Sequence, residues 1–148
     1  MPPAWLPLAA IVAIIAVSAI RLLSVQMGHG VKAYGFGRHA DIQRVTERNW
    51  RLAVAAILAF ATIAWLKPQW ELALGRPDWA GNAIVRWAAS ALFLVCFLII
   101  AAAQIQMGAS WRIGVPKEGP GALVAQGLFR WSRNPIFVGM IGTLVALF

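Results

Sequence analysis

The sequence predicts an all-α fold: a polytopic membrane helix bundle with three full spans and an incomplete fourth. Long uncharged runs separated by short basic segments predict the helices. So do tryptophans that collect at the ends of those runs, as in the aromatic belts of membrane proteins. With 61% hydrophobic residues among 148 and a mean hydropathy of +0.73, the chain is too apolar for a soluble domain of its size. Its formal charge of +8 raises the question of nucleic acid, but the Lys and Arg residues lie between apolar runs, where membrane proteins keep them. Nucleic-acid binding is therefore not expected.

A single membrane domain, 1–148, accommodates spans at about 3–22, 51–67, 86–107 and 135–148, with cytoplasmic loops at 26–50 and 108–134. Pro2 to Ile20 carries no charge and would reach about 28 Å as a helix, with Arg21 snorkelling at its inner end. The loop 26–50 is basic, and its ADIQRVTERNW half spaces Ile42, Val45 and Trp50 as one face of a short interfacial helix. Leu52 to Leu66 forms the second span, flanked by Arg51 and Lys67. Pro68, Gly75, Pro77 and Gly81 mark the next connection as a turn-rich external loop. Trp87 to Met107 is the third span, and Gln104 and Gln106 near its end are expected to pack between helices. Trp5, Trp50, Trp65, Trp70, Trp79, Trp87, Trp111 and Trp131 all fall at or beyond span ends. The loops placed inside hold more Lys and Arg than the external one, which puts the N-terminus outside. The N-terminus shows neither a basic lead-in nor a cleavage site, so the first span is read as uncleaved.

The remaining chemistry-bearing residues are sparse. Cys96 lies within an apolar run and has no second cysteine to pair with, so it reads as a small core residue. His29 and His39 lack ligand-like spacing, and no metal site is expected. The glycines of MGHGVKAYGFG follow no strand, which excludes a dinucleotide fingerprint.

Gly121 to Met140, GALVAQGLFRWSRNPIFVGM, is the stretch where a basic, aromatic segment turns directly into an apolar helix. Asn134 followed by Pro135 is a helix start: Asn accepts from a first-turn N–H, and Pro suits the first helical position. Free N–H groups, the helix dipole and Arg133 together predict an anion seat. The pattern Leu123-Val124, Gly127, Phe129, then Arg133-Asn134-Pro135-Ile136-Phe137-Val138-Gly139 resembles the isoprenylcysteine carboxyl methyltransferase family and its phospholipid-methylating relatives, with Met107 to Val115 similar to that family's lead-in. Asn134 and Phe137 stand where better-known members have His and Tyr.

The resemblance implies an integral membrane methyltransferase that uses S-adenosylmethionine. Its cofactor would be bound by Leu123, Val124, Gly127, Phe129, Arg133, Asn134, Pro135, Phe137 and Gly139 at the cytoplasmic face of a bacterial inner membrane. The implied acceptor is a lipid-like or small hydrophobic carboxylate, thiol or amine held in the bilayer. No residue is assigned as a general base, and no oligomeric state follows. Relatives in that family continue past this helix to a Glu-containing segment, so the resemblance also implies a truncated chain. The rival readings are an NADPH-dependent sterol-type membrane reductase and a non-enzymatic small membrane subunit.

Overall fold

A helix that crosses a bilayer needs about 20 largely apolar residues, and three of the helices here meet that condition. The computed structural model describes residues 3–30, 41–70, 73, 75, 77–113 and 122–147, with His29, Asp41, Ile42 and Leu147 described by their backbone alone. Its helices are α1 (Leu6–His29), α2 (Asp41–Leu66), α3 (Ala83–Gln106) and α4 (Pro135–Leu147), joined by short 3-10 turns, with no strand among the described residues. Segments Leu6–Gly28, Gln43–Leu66 and Ala83–Gln106 are long and apolar enough to cross a membrane, and Pro135–Ala146 is a shorter apolar helix. The chain is a multi-pass membrane protein with an all-α bundle fold.

The helix ends follow local chemistry. Gly30 closes α1 with a left-handed φ of 62° and donates its N–H to Gln26 O at 3.1 Å, a conformation costly for any residue with a Cβ. Asn82 caps α3 by accepting the Ile84 N–H at 2.8 Å. Two expected boundaries are corrected. The segment 26–50, expected as a loop, is helical over 26–29 and again over 41–50. The interfacial helix and second span are one continuous α2, because neither Pro nor Gly interrupts the chain between Asp41 and Leu66. The described turns at 68–70 and 78–81 agree with a turn-rich connection. Lys32, Gly35, Gly37, Arg38 and His39, the piece from Gly114 to Gly121, and Arg76 lie outside the described residues.

Two small cores hold the bundle, one towards each end. Ile11, Ala61 and Phe93 meet from three helices, with Ala146 of α4 packed against them. At the other end Val25 and Trp111 are buried together with Leu22, Met107, Ile113 and Ile136 around them. Trp111 is thus corrected from belt to core: it is 3% exposed, because the turn after α3 folds it back onto α1. The other seven tryptophans are all exposed.

Helices α1 and α3 run parallel, since Ser18 meets Gln104 and Arg21 meets Gly108 further along both. Gln104 Nε2 donates to Ser18 Oγ at 2.8 Å, which is the interhelical role expected of it. Arg21, expected to snorkel, is half-buried instead and donates from Nη2 to the Gly108 carbonyl at 3.0 Å. That carbonyl belongs to the turn leaving α3, where it also accepts the Trp111 N–H at 3.3 Å.

The most extensive pair is α3 with α4. It is close because α4 turns glycines towards α3. A Cβ on Gly139 would come within 2.6 Å of Ile100 Cγ1 and 3.1 Å of the Cys96 carbonyl, and one on Gly142 would collide with Cys96 Sγ. Contacts of this kind let helix backbones approach where lipid supplies no hydrophobic drive for association.

Gly139→Val is expected to lower stability by about 1–3 kcal/mol by overpacking this seam, seen as a lower melting temperature in detergent. A double-mutant cycle on Ser18→Ala and Gln104→Leu should return a coupling of about 0.6 kcal/mol. Zero coupling would remove the pair from the forces that align α1 with α3.

Candidate functional site

The start of α4 is assembled by hydrogen bonds from three directions. Pro135 occupies the first helical position and is buried, so its missing N–H costs the helix nothing. Asn134 Oδ1 accepts the Phe137 N–H at 3.2 Å, and the Asn134 carbonyl accepts the Val138 N–H at 3.3 Å. Ser132 Oγ in turn accepts the Asn134 N–H at 3.2 Å. The helix start is thus capped by its own chain. One first-turn donor expected to meet an external anion is already engaged, and attraction for an anion there rests on the charge of Arg133 and the helix dipole.

The preceding turn is braced from α3. Gln106 Oε1 accepts the Leu128 N–H at 2.8 Å. Gly127 sits against the same amide with φ +59°, and a Cβ there would collide with Gln106 Oε1. Gly127 is therefore required by its left-handed backbone and by Gln106. Earlier in the loop, Ser110 Oγ donates to the Ala122 carbonyl at 3.0 Å, returning residues 122–124 to the end of α3.

The nine residues singled out by sequence fall into two groups. Arg133, Asn134 and Phe137 are exposed, as is Trp131 two positions before Arg133 in the chain, at 89%. Leu123 is 93% exposed. The others serve packing: Pro135 and Gly139 are buried, Gly127 lies on Gln106, and Val124 and Phe129 are half-buried. Gly139 faces Ile100 and Cys96 within the helix seam. Sequence reasoning missed the positioning roles of Gln106, Ser110 and Ser132. A Gln two residues before a helix-ending Gly was the available signal for the first; the two serines offered none.

Charge collects at this end of the bundle. Arg112, Arg130 and Arg133 follow α3, and Arg44, Arg48 and Arg51 begin α2, while Lys67 and Arg86 mark the opposite end. Among the described residues no group of three or more His, Cys, Asp or Glu side chains is placed to hold a metal ion. Cys96 is buried and unbonded to another cysteine. The side chain of His29 and the whole of His39 lie outside what is described.

The sequence profile of the family described as NnrU protein matches residues 20–142. No curated protein and no solved structure matches the chain. The profile match runs through the entire stretch that resembles the isoprenylcysteine carboxyl methyltransferases, and it corrects that assignment. The physical basis of the misleading likeness is visible in the geometry. An Asn-Pro helix start, a left-handed glycine before it and a glycine one turn into the helix are what a tight entry into a closely packed helix pair requires, whatever the protein does. Matched over most of its length, from the second half of α1 to the middle of α4, the chain belongs to the NnrU family.

Proposed function

We propose that this membrane protein binds S-adenosylmethionine at the start of α4, through its carboxylate, adenine and sulfonium, and transfers its methyl group to a membrane-partitioned carboxylate, thiol or amine. In this reading the basic end of the bundle faces the cytoplasm of a bacterial inner membrane and the N-terminus lies outside, in keeping with the excess of Lys and Arg at that end. The observation that carries the proposal is that Arg133, Trp131 and Phe137 are all exposed within seven residues of chain around a helix start capped by Asn134 and Ser132, with the preceding turn held by Gln106.

A carboxylate suits the planar fork of Arg133, which can hold both oxygens at once. Aromatic faces suit an adenine by stacking and a sulfonium by cation–π attraction. The cofactor would supply the methyl group, and the chain's part is to hold it at the edge of the bilayer, where a water-soluble molecule and a lipid-like acceptor can meet. Orientation of that kind lowers a barrier without acid or base, and the residues at hand offer orientation rather than proton transfer. Asn134 does not titrate and Phe137 has no hydroxyl, so this edge is expected to bind its ligand without a pH-dependent step of its own.

Titration calorimetry on the purified full chain in lipid nanodiscs tests the reading with S-adenosylmethionine as the probe. Arg133→Ala should weaken binding about tenfold or more, the loss expected for a charge-assisted bidentate contact. NADPH should not compete. Absence of binding, or an affinity indifferent to Arg133→Ala, overturns the proposal and leaves a non-enzymatic membrane subunit as the better reading. Asn134→Ala separates cap from ligand contact: it should cost about 1 kcal/mol of stability in thermal unfolding even with no ligand present.

A further inference from the structure

The first turns of α2 carry a second feature, which the reading of α4 does not use. Arg44, Arg48, Arg51 and Ala55 recur at intervals of four, three and four residues and so share one face of the helix. Together with Glu47 and Leu52 they line a surface recess of about 480 Å³. Arg51 pairs with Glu47 across one turn, and the Arg51 side chain remains 68% exposed. Arg44, Arg48, Leu52 and Ala55 are exposed as well. The residues lining the recess carry three guanidinium groups and one carboxylate at its start on α2, and Leu52 and Ala55 further along the helix.

The order of these groups along the helix is informative. From Arg44 to Ala55 the axis rises about 16 Å, passing from charge to hydrocarbon at the point where α2 becomes apolar enough to cross a membrane, within Gln43–Leu66. A soluble anion would use only the charged half. A molecule with an anionic head and an apolar tail uses both, in the order in which the bilayer presents them.

We infer that the Arg44–Ala55 face of α2 is a binding site for an anionic phospholipid, with the headgroup phosphate among Arg44, Arg48 and Arg51 and an acyl chain along Leu52 and Ala55. Charge complementarity selects an anionic lipid over a zwitterionic one, because three of the lining side chains are cationic and one is anionic. Arginine suits this position because its fork can take two phosphate oxygens while the stem stays against hydrocarbon.

The test uses the full chain equilibrated with equal amounts of phosphatidylglycerol and phosphatidylcholine in mixed micelles, with retained lipid counted by native mass spectrometry. Wild type is expected to retain phosphatidylglycerol in excess, and the Arg44→Gln/Arg48→Gln/Arg51→Gln variant should lower that preference about tenfold. Arg48→Gln alone, which keeps the Arg51–Glu47 pair, serves where the triple variant does not fold and should lower it about threefold. Arg130→Gln removes one charge from the same end of the bundle outside the recess and should leave the preference unchanged. The inference is overturned if wild type shows no preference, if the α2 variants retain it, or if Arg130→Gln costs as much as Arg48→Gln, since the effect would then be one of general surface charge.

Discussion

The close approach of α3 and α4 is the constraint on which the rest of the structure depends. In a bilayer, apolar side chains are as well solvated by lipid as by each other, so helices associate through tight contact and a few polar bonds. Here the tight contact comes from Gly139 and Gly142 lying on Ile100 and Cys96. Fixing α4 against α3 also brings the described ends of their connection, 107–113 and 122–134, to the same end of the helix pair. Gln106 then meets the Leu128 N–H, Ser110 meets Ala122, and Asn134 is positioned to cap the helix that the glycines have already placed.

The second association, between α1 and α3, is of a different kind. It uses polar groups, Ser18 with Gln104 and Arg21 with the Gly108 carbonyl, and a buried pair at the basic end, Val25 with Trp111. Polar bonds within a bilayer are specific because their unsatisfied alternatives find few partners, even where their net strength is modest. They fix which faces of α1 and α3 meet. By contrast, much of α2 faces outward, and its exposed apolar side chains are those of a helix solvated by lipid.

The basic end of the bundle brings together two surfaces of similar chemistry and different construction. At the start of α4, Arg133, Trp131 and Phe137 are exposed around a helix start capped by its own chain. On α2, arginines are stacked along a helix face that runs into the apolar span. Both join positive charge to apolar surface at the level where α1 and α3 end and α2 and α4 begin.

The fold class and three of the helices were legible because a membrane span needs length, apolarity and missing charge, and all three are properties of the chain alone. The Asn134–Pro135 helix start and the interhelical use of Gln104 were legible for a similar reason: the first is local in sequence, and an amide within an apolar run has few alternatives to a partner on another helix. Gln106, of which the same was expected, is instead exposed and holds the Leu128 N–H. The stretch up to Trp50 reads as a separate interfacial helix, since an amphipathic turn suits a membrane surface as well as the end of a span, and the structure made it one helix with the span. Trp111 and Arg21 read as boundary residues until the turn after α3 placed one against Val25 and gave the other the Gly108 carbonyl. The resemblance put Gly127 and Gly139 among the cofactor-binding residues, and in the structure Gln106, Ile100 and Cys96 occupy the space their missing side chains leave. A glycine in sequence states only that something comes close. What comes close is decided by which helix packs there, and that depends on contacts between residues far apart in the chain.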